Sequence, residues 1–330
     1  MLEAGRSLAE IGFASVAAAD RRIAGVAAAG RAVKALVDGG ASEIRLLLAD
    51  GESLAPATRA DIERLRGAST IEIVRGEGPA ATLPSAWQVI RRTGKPSDGL
   101  VSRWLNRPFS QRISWALLQL FPSIRPIHIT LFNALLALTL IPVLTFGGVW
   151  GLILGGILFH VASVLDGVDG EMARATWRTS ATGATLDSIV DIATNLLFVS
   201  GLTINLALRD GGLIGWIGAW AVILSIVGGA LIASRSRAGD RAIGFDLLKR
   251  REHRVTGPFD LIYWAVQTLT GRDCFAFLYM TLILVGLERV ALYIYAGVGT
   301  IWLAYVVIVL ALPRPKASPA IAPRIEPKLL

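Results

Sequence analysis

From residue 126 onward the chain is a succession of apolar runs, at approximately 128–146, 150–166, 187–208, 212–234, 274–290 and 293–312. A bilayer's hydrocarbon core of roughly 30 Å takes about 20 apolar residues of helix to cross. Within it a backbone must satisfy its own hydrogen bonds, which a helix does. The expected fold class is therefore an α-helical integral membrane protein with six transmembrane helices. The second run is short and ends on Asp166, as expected if its last turns open into a polar cleft. Residues before 100 hold no comparable run, so no cleavable signal peptide is expected.

Basic residues orient the spans. Arg103, Arg107, Arg112 and Arg125 precede the first; Arg174 and Arg178 separate the second from the third; Arg235, Arg237, Arg241, Lys249, Arg250, Arg251, Arg254 and Arg272 separate the fourth from the fifth; Arg314 and Lys316 follow the sixth. The opposite connectors offer only Arg209 and Arg289. The positive-inside rule puts both termini, and the loop between the second and third spans, in the cytoplasm, as a multi-pass protein of an inner or plasma membrane. The net charge of +8 is then mostly a topology signal, with some affinity for anionic lipid. No basic stretch interleaved with aromatics argues for nucleic acid. The single cysteine, Cys274, cannot form an intrachain disulfide, and no Cys/His cluster suggests zinc.

That loop and its flanks read DGVDGEMARATWRTSATGATLDSIVD from Asp166 to Asp191. Asp166 with Asp169, and Asp187 with Asp191, have the spacings that share one helix face. Two such faces turned together would make a four-carboxylate cluster, and hard oxygen ligands select hard divalent cations such as magnesium. Capping could explain one aspartate per helix, which leaves Asp191 unexplained. Gly170, Ala173 and Gly183 keep the space between the helices free of bulk. Arg174 could clamp a phosphate, pair with Glu171, or lie at the interface with its stem along lipid. The histidines, His128, His160 and His253, are far apart in sequence; His160, on the helix leading into the site, is the one of interest.

Asp166, Asp169-Gly170, Ala173-Arg174, Gly183, Asp187 and Asp191, at these spacings, resemble the signature of the CDP-alcohol phosphotransferase family, with every fixed position present. The resemblance implies a six-helix membrane enzyme that moves a substituted phosphate from a CDP-linked donor to an alcohol and releases CMP. It implies that Asp166, Asp169 and Asp187 hold a pair of Mg2+ or Mn2+ ions, with Asp191 beside them as a further ligand and as the base. Gly170, Ala173, Arg174 and Gly183 would shape the CDP site. Arg235, Arg237 and Arg241 could hold the phosphate of a phospho-alcohol acceptor, such as an inositol or glycerol phosphate, or serve only as topology-setting charges. Two other readings, a cation-coupled transporter and a non-catalytic scaffold, do not account for the Gly/Ala/Arg spacing or for the intact aspartates, respectively.

Residues 1–95 read as a small cytosolic α/β domain of βαβ type. Strands are expected at 15–19, 43–49 and 70–75 and helices at 30–38 and 57–66, with another helix at about 83–92. RRIAGVAAAGRAVKALVDGGASEIRLLLADG resembles the opening of sugar-nucleotidyltransferase domains, although the Gly-rich loop and metal-binding aspartate of those domains are not apparent. This implies a shortened relic without transferase activity; an unrelated α/β cap is the alternative. Residues 96–125 carry Trp104, Leu105, Phe109, Ile113, Trp115, Ala116 and Leu117 among arginines and serines, as in an amphipathic helix lying in the membrane interface, with a helix packed on the soluble unit as the other option. This passage and GRDCFAF from Gly271 resemble the subgroup with a fused inositol-phosphate cytidylyltransferase and di-inositol-phosphate phosphate synthase. One departure is Arg125-Pro126-Ile127, where the family often has Thr-Pro-Asn. The membrane domain is expected over 126–312 and a flexible Pro-rich tail over 313–330. Gly151 and Gly155 would allow close helix packing within a subunit or across a homodimer.

Overall fold

The computed structural model describes residues 7–311 apart from 52, 96–97, 100 and 238–271. Its N-terminal part is a parallel sheet in the order β1 (Leu8–Phe13), β4 (Glu43–Leu48), β5 (Thr70–Arg75), with a small β2 (Arg22–Ile23) and β3 (Val26–Ala27) hairpin beside it. Helices α1 (Val16–Asp20), α2 (Ala28–Asp38), α3 (Pro56–Leu65) and α4 (Ala86–Arg91) connect and cover the strands. The strand expected at 15–19 is instead α1. Ser15 caps it by accepting from the Ala18 N–H, and the alanines that follow favour a helix. The first strand lies just upstream, in the alternating LAEIGF segment.

A π-helical turn at Ser102–Asn106 leads into α5 (Arg107–Leu120). The polar side of α5 is its buried side. Ser110 and Ser114 are fully enclosed, whereas Trp104, Phe109 and Trp115 are exposed. The serines and Arg107 converge on Glu171, a fully buried carboxylate on α7 (Gly148–Ala175). Arg107 donates to Glu171 at 2.7 Å, and Ser110 and Ser114 at 2.7 and 2.6 Å. Arg107 also forks onto Asp98 at 2.7 and 2.8 Å. Burial alone raises the Asp98 pKa, but the Arg107 guanidinium, with Lys95, more than offsets this and holds the carboxyl below its ordinary range. Gly167 permits the crossing, since a Cβ there would stand 3.2 Å from Ser110 Oγ.

The remaining helices are α6 (Pro126–Phe146), α8 (Ala181–Asp210), α9 (Gly212–Arg237), α10 (Arg272–Leu284) and α11 (Glu288–Ala311). Among the described residues, four helices are long and apolar enough to cross a membrane: α6, α7, α8 and the Gly212–Ala230 part of α9. Much of their outer surface is apolar, including Leu131, Phe132, Leu135 and Leu138 on α6 and Trp150 on α7. The run expected as one span at 274–290 is divided between α10 and α11. Gly286, at φ +76°, ends α10 with a Schellman turn in which Leu287 N–H donates to Leu282 O at 2.7 Å. Gly155 lies against Leu144 and Gly151 against the Val143 carbonyl, so these glycines serve packing of α7 on α6 within the chain. At the end of the bundle away from α5, Arg209 pairs with Glu288 and Arg289 with Asp210.

Two apolar cores result. One fills the bundle with Leu140, Leu144, Phe159, Phe198 and Tyr279 among others. The other runs without a break from Ile44, Leu46 and Val33 of the N-terminal unit to Leu118 of α5, Ile129 of α6 and Val168 and Met172 of α7.

Replacing Glu171 by Ala would leave a buried arginine short of a partner and is expected to cost about 3 kcal/mol, read as lower stability of the detergent-solubilised protein. Asp98→Asn should destabilise at pH 7. Because the folded pKa is depressed, the carboxylate's contribution is lost as pH falls through that value, so wild type and variant should converge in acid well below pH 4.

Candidate active site

The C-terminal third of α7 and the first turns of α8 carry the acidic motif. The N-terminus of α8 is fixed by Ser180, whose Oγ accepts from the Gly183 N–H at 3.0 Å. The structure brings Asp166, Asp187 and Asp191 together, with one carboxylate oxygen of each within 4.8 Å of the others. Asp169 stands outside this trio and is buried, its Oδ2 accepting from Thr130 Oγ1 at 2.6 Å. The charges of Asp166, Asp191 and Asp169 all bear on Asp187. An oxygen-only donor set with this much negative charge fits a hard divalent cation.

Arg174 does not pair with Glu171, which Arg107 and the two serines occupy. Its Nε donates to Thr93 O, at the end of α4, at 2.7 Å, and its guanidinium folds back over Gly170. A Cβ at Gly170 would stand 3.0 Å from Arg174 Nη1, so the glycine makes room for the arginine. Ala173 directly precedes Arg174 in the last turn of α7, and Gly183 sits one turn before Asp187 on α8. His160 packs its ring against Phe277, with centroids 5.7 Å apart. Arg235 and Arg237 fall in the last turns of α9, where the described side chains stop, and Arg241 lies outside the described residues.

Sequence reasoning passed over Thr130 and Trp177. Thr130 is a buried hydroxyl in an otherwise apolar run, a signal that could have been read. Trp177 follows α7 at φ +51°, a left-handed conformation that costs about 1–3 kcal/mol for a residue with a side chain. It closes a Schellman turn in which Arg178 N–H donates to Ala173 O at 2.9 Å and Trp177 N–H to Arg174 O at 3.3 Å. Nothing in the sequence marks it.

The described residues thus give a bundle with four helices long and apolar enough to cross a membrane, and a carboxylate trio between two of them that could hold a metal ion. Residues 124–317 match the CDP-alcohol phosphatidyltransferase family, and the chain belongs to that family. Its relatives include proteins named bifunctional IPC transferase and DIPP synthase. That of Aquifex aeolicus is 42% identical over 109 residues, covering 33% of this chain and 24% of the relative. That of Archaeoglobus fulgidus is 35% identical over 152 residues, or 44% and 27%. A protein of Pyrococcus horikoshii named archaetidylinositol phosphate synthase is 32% identical over 107 residues, or 31% and 52%. The alignments thus span about a quarter to a half of these relatives' lengths. The resemblance to the fused subgroup, read from the sequence, is borne out by these names.

Thr130→Val should leave the fold intact and weaken Mn2+ binding about tenfold, as loss of a ligand-orienting contact does. Asp187→Asn should abolish saturable binding. Electron paramagnetic resonance of free Mn2+ during titration measures both, and wild-type-like binding by Asp187→Asn would contradict the site.

Proposed function

We propose that the protein transfers a substituted phosphate from a CDP-linked donor, CDP-diacylglycerol or a CDP-polyol such as CDP-inositol, to an alcohol acceptor, releasing CMP. The observation that carries this reading is the convergence of Asp166, Asp187 and Asp191 within the family's motif. An acceptor of inositol-phosphate type accords with the printed names of the relatives. In this reading Asp166, Asp169, Asp187 and Asp191 form the metal site, Gly170, Ala173, Arg174 and Gly183 the CDP site, and Arg235 and Arg237 the acceptor-phosphate site. The reaction would serve phospholipid, polar-lipid or osmolyte biosynthesis.

Magnesium or manganese, when bound, supplies Lewis-acid polarisation of the phosphoryl oxygens and neutralises charge on the departing CMP. Arg174, anchored through Nε to the Thr93 carbonyl, presents a fixed guanidinium to the donor's phosphates. Asp191 takes the acceptor hydroxyl's proton as the new oxygen–phosphorus bond forms. The bond from that phosphorus to the bridging oxygen breaks, and CMP leaves with the electron pair. Thr130, on α6, holds Asp169 through the hydrogen bond to its Oδ2.

Residues 1–95 form a cytosolic α/β domain in this reading, 96–125 an interfacial segment, 126–312 a six-span membrane domain and 313–330 a tail. Both termini and the site face the cytoplasm, where CDP-linked donors are available. The outward aromatics of the π-helical turn and α5 support the interfacial placement, since Trp104 and Phe109 would sit at headgroup depth.

Purified protein in lipid, offered each donor with a panel of free and phosphorylated polyols, should release CMP with one donor–acceptor pair and only with Mg2+ or Mn2+. Asp191→Asn should lower the rate at least about a hundredfold. CMP release unaffected by Asp191→Asn would overturn the assignment of the base.

A further inference from the structure

Among the described residues α2, α7 and α10 end in the same Schellman turn, α2 and α10 with a glycine (Gly40, Gly286) and α7 with a tryptophan at the left-handed position. At the end of α10 that residue is Gly286, which adopts φ +76° without a steric penalty. At the end of α7 it is Trp177, which does not, so something else must hold the turn. The contacts that do so come from the N-terminal unit. Arg31, on α2 and buried, donates through Nη2 to Ala175 O at 2.8 Å, while its Nε and Nη2 bind Ile23 O and Ala24 O at 2.7 and 3.1 Å. Its guanidinium carbon lies 4.9 Å from the centre of the Trp177 ring. Arg64, on α3, donates through Nη1 to Thr176 O at 3.0 Å and to Trp177 O at 3.2 Å. Asp61, also buried, holds Arg64: it accepts from Arg64 at 3.0 Å, from the Ala27 N–H at 3.1 Å and from Arg22.

Cations at a helix C-terminus stabilise its exposed carbonyls, and here both are delivered by a unit outside the membrane bundle. Burial pushes the Arg31 pKa down to about 10, with the Asp61 charge acting against this, so the guanidinium stays charged at neutral pH. The clamped turn runs into the α7–α8 connection, and so bears on how the Asp166 face of α7 meets Asp187 and Asp191 of α8.

We infer that the N-terminal α/β unit is a positioning clamp: Arg31 and Arg64 hold the strained α7 terminus at Trp177, and through it the register of the two aspartate-bearing helices. This rests on the trio being the reaction centre. It gives residues 7–95 a task that needs no nucleotidyltransferase chemistry of their own. Arg31 and Arg64 are positioning residues and touch neither donor nor acceptor.

The test uses the full-length protein in lipid, with Arg31→Ala, Arg64→Met, Arg31→Ala/Trp177→Gly and, as a control for lost charge, Arg66→Met, whose parent side chain pairs with Glu63 rather than with α7. Three readouts are taken: amide exchange of residues 172–180, Mn2+ affinity by electron paramagnetic resonance, and kcat and KM for CMP release. The clamp requires faster exchange in that segment and Mn2+ binding about tenfold weaker in Arg31→Ala and Arg64→Met. It also requires kcat to fall more than donor KM rises. Glycine at 177 should restore Mn2+ affinity in the Arg31→Ala background, because it holds the turn unaided. Should Arg31→Ala not fold, the partly exposed Arg64 carries the test. Wild-type exchange and Mn2+ binding in Arg64→Met, or equal effects from Arg66→Met, would overturn the clamp. A wild type that binds no Mn2+ and releases no CMP would instead overturn the proposed function, with amide exchange still deciding whether the turn is clamped.

Discussion

Between α7 and α8 three carboxylates are held a few ångströms apart, an arrangement that costs energy unless something compensates it. Carboxylate oxygens of Asp166, Asp187 and Asp191 lie within 4.8 Å of one another, and ionisable groups at membrane depth are retained only where they pair, line a cavity or bind something. Helix packing holds them there. The α7 helix is fixed against α6 by the close approach of Gly151 and Gly155, against α5 by Glu171, and at its terminus by arginines of the N-terminal unit. With so many constraints on one helix, the two acidic faces have little freedom to separate, and a divalent cation held between them would relieve the repulsion that remains.

Glu171 shows how a motif can serve two purposes. Within the motif, between Gly170 and Ala173-Arg174, Glu171 takes Arg107, Ser110 and Ser114 of α5. Turning the polar side of α5 inward leaves Trp104, Phe109 and Trp115 outward, which is the arrangement a helix at a membrane interface requires. A single buried carboxylate thus couples α5 to the helix that carries Asp166 and Asp169.

Four of the six expected spans, those that became α6 to α9, and the acidic motif were legible in the sequence because both depend on local periodicity: long apolar runs, and aspartates spaced to share a helix face. The strands at 43–49 and 70–75 were legible for the same reason, being short β-branched and leucine-rich runs between turns. The segment at 15–19 was misread because a short run of small apolar residues fits either state, and the Ser15 cap decides it. The split at Gly286 was hidden by the hydropathy of the residues around it. Partners distant in sequence were not legible at all: Glu171 with Arg107, Arg174 with Thr93, and Arg31 with Ala175 are made by the fold. The left-handed Trp177 falls in the same class, since only the contacts around it make that conformation tolerable.

The most direct test of the central claim is a crystal structure of the protein soaked in Mn2+, with anomalous data collected at the manganese edge. A divalent site predicts a peak between α7 and α8, within coordination distance of Asp166, Asp187 and Asp191. Ordered carboxylates with no peak among them, in crystals that show Mn2+ elsewhere, would contradict it.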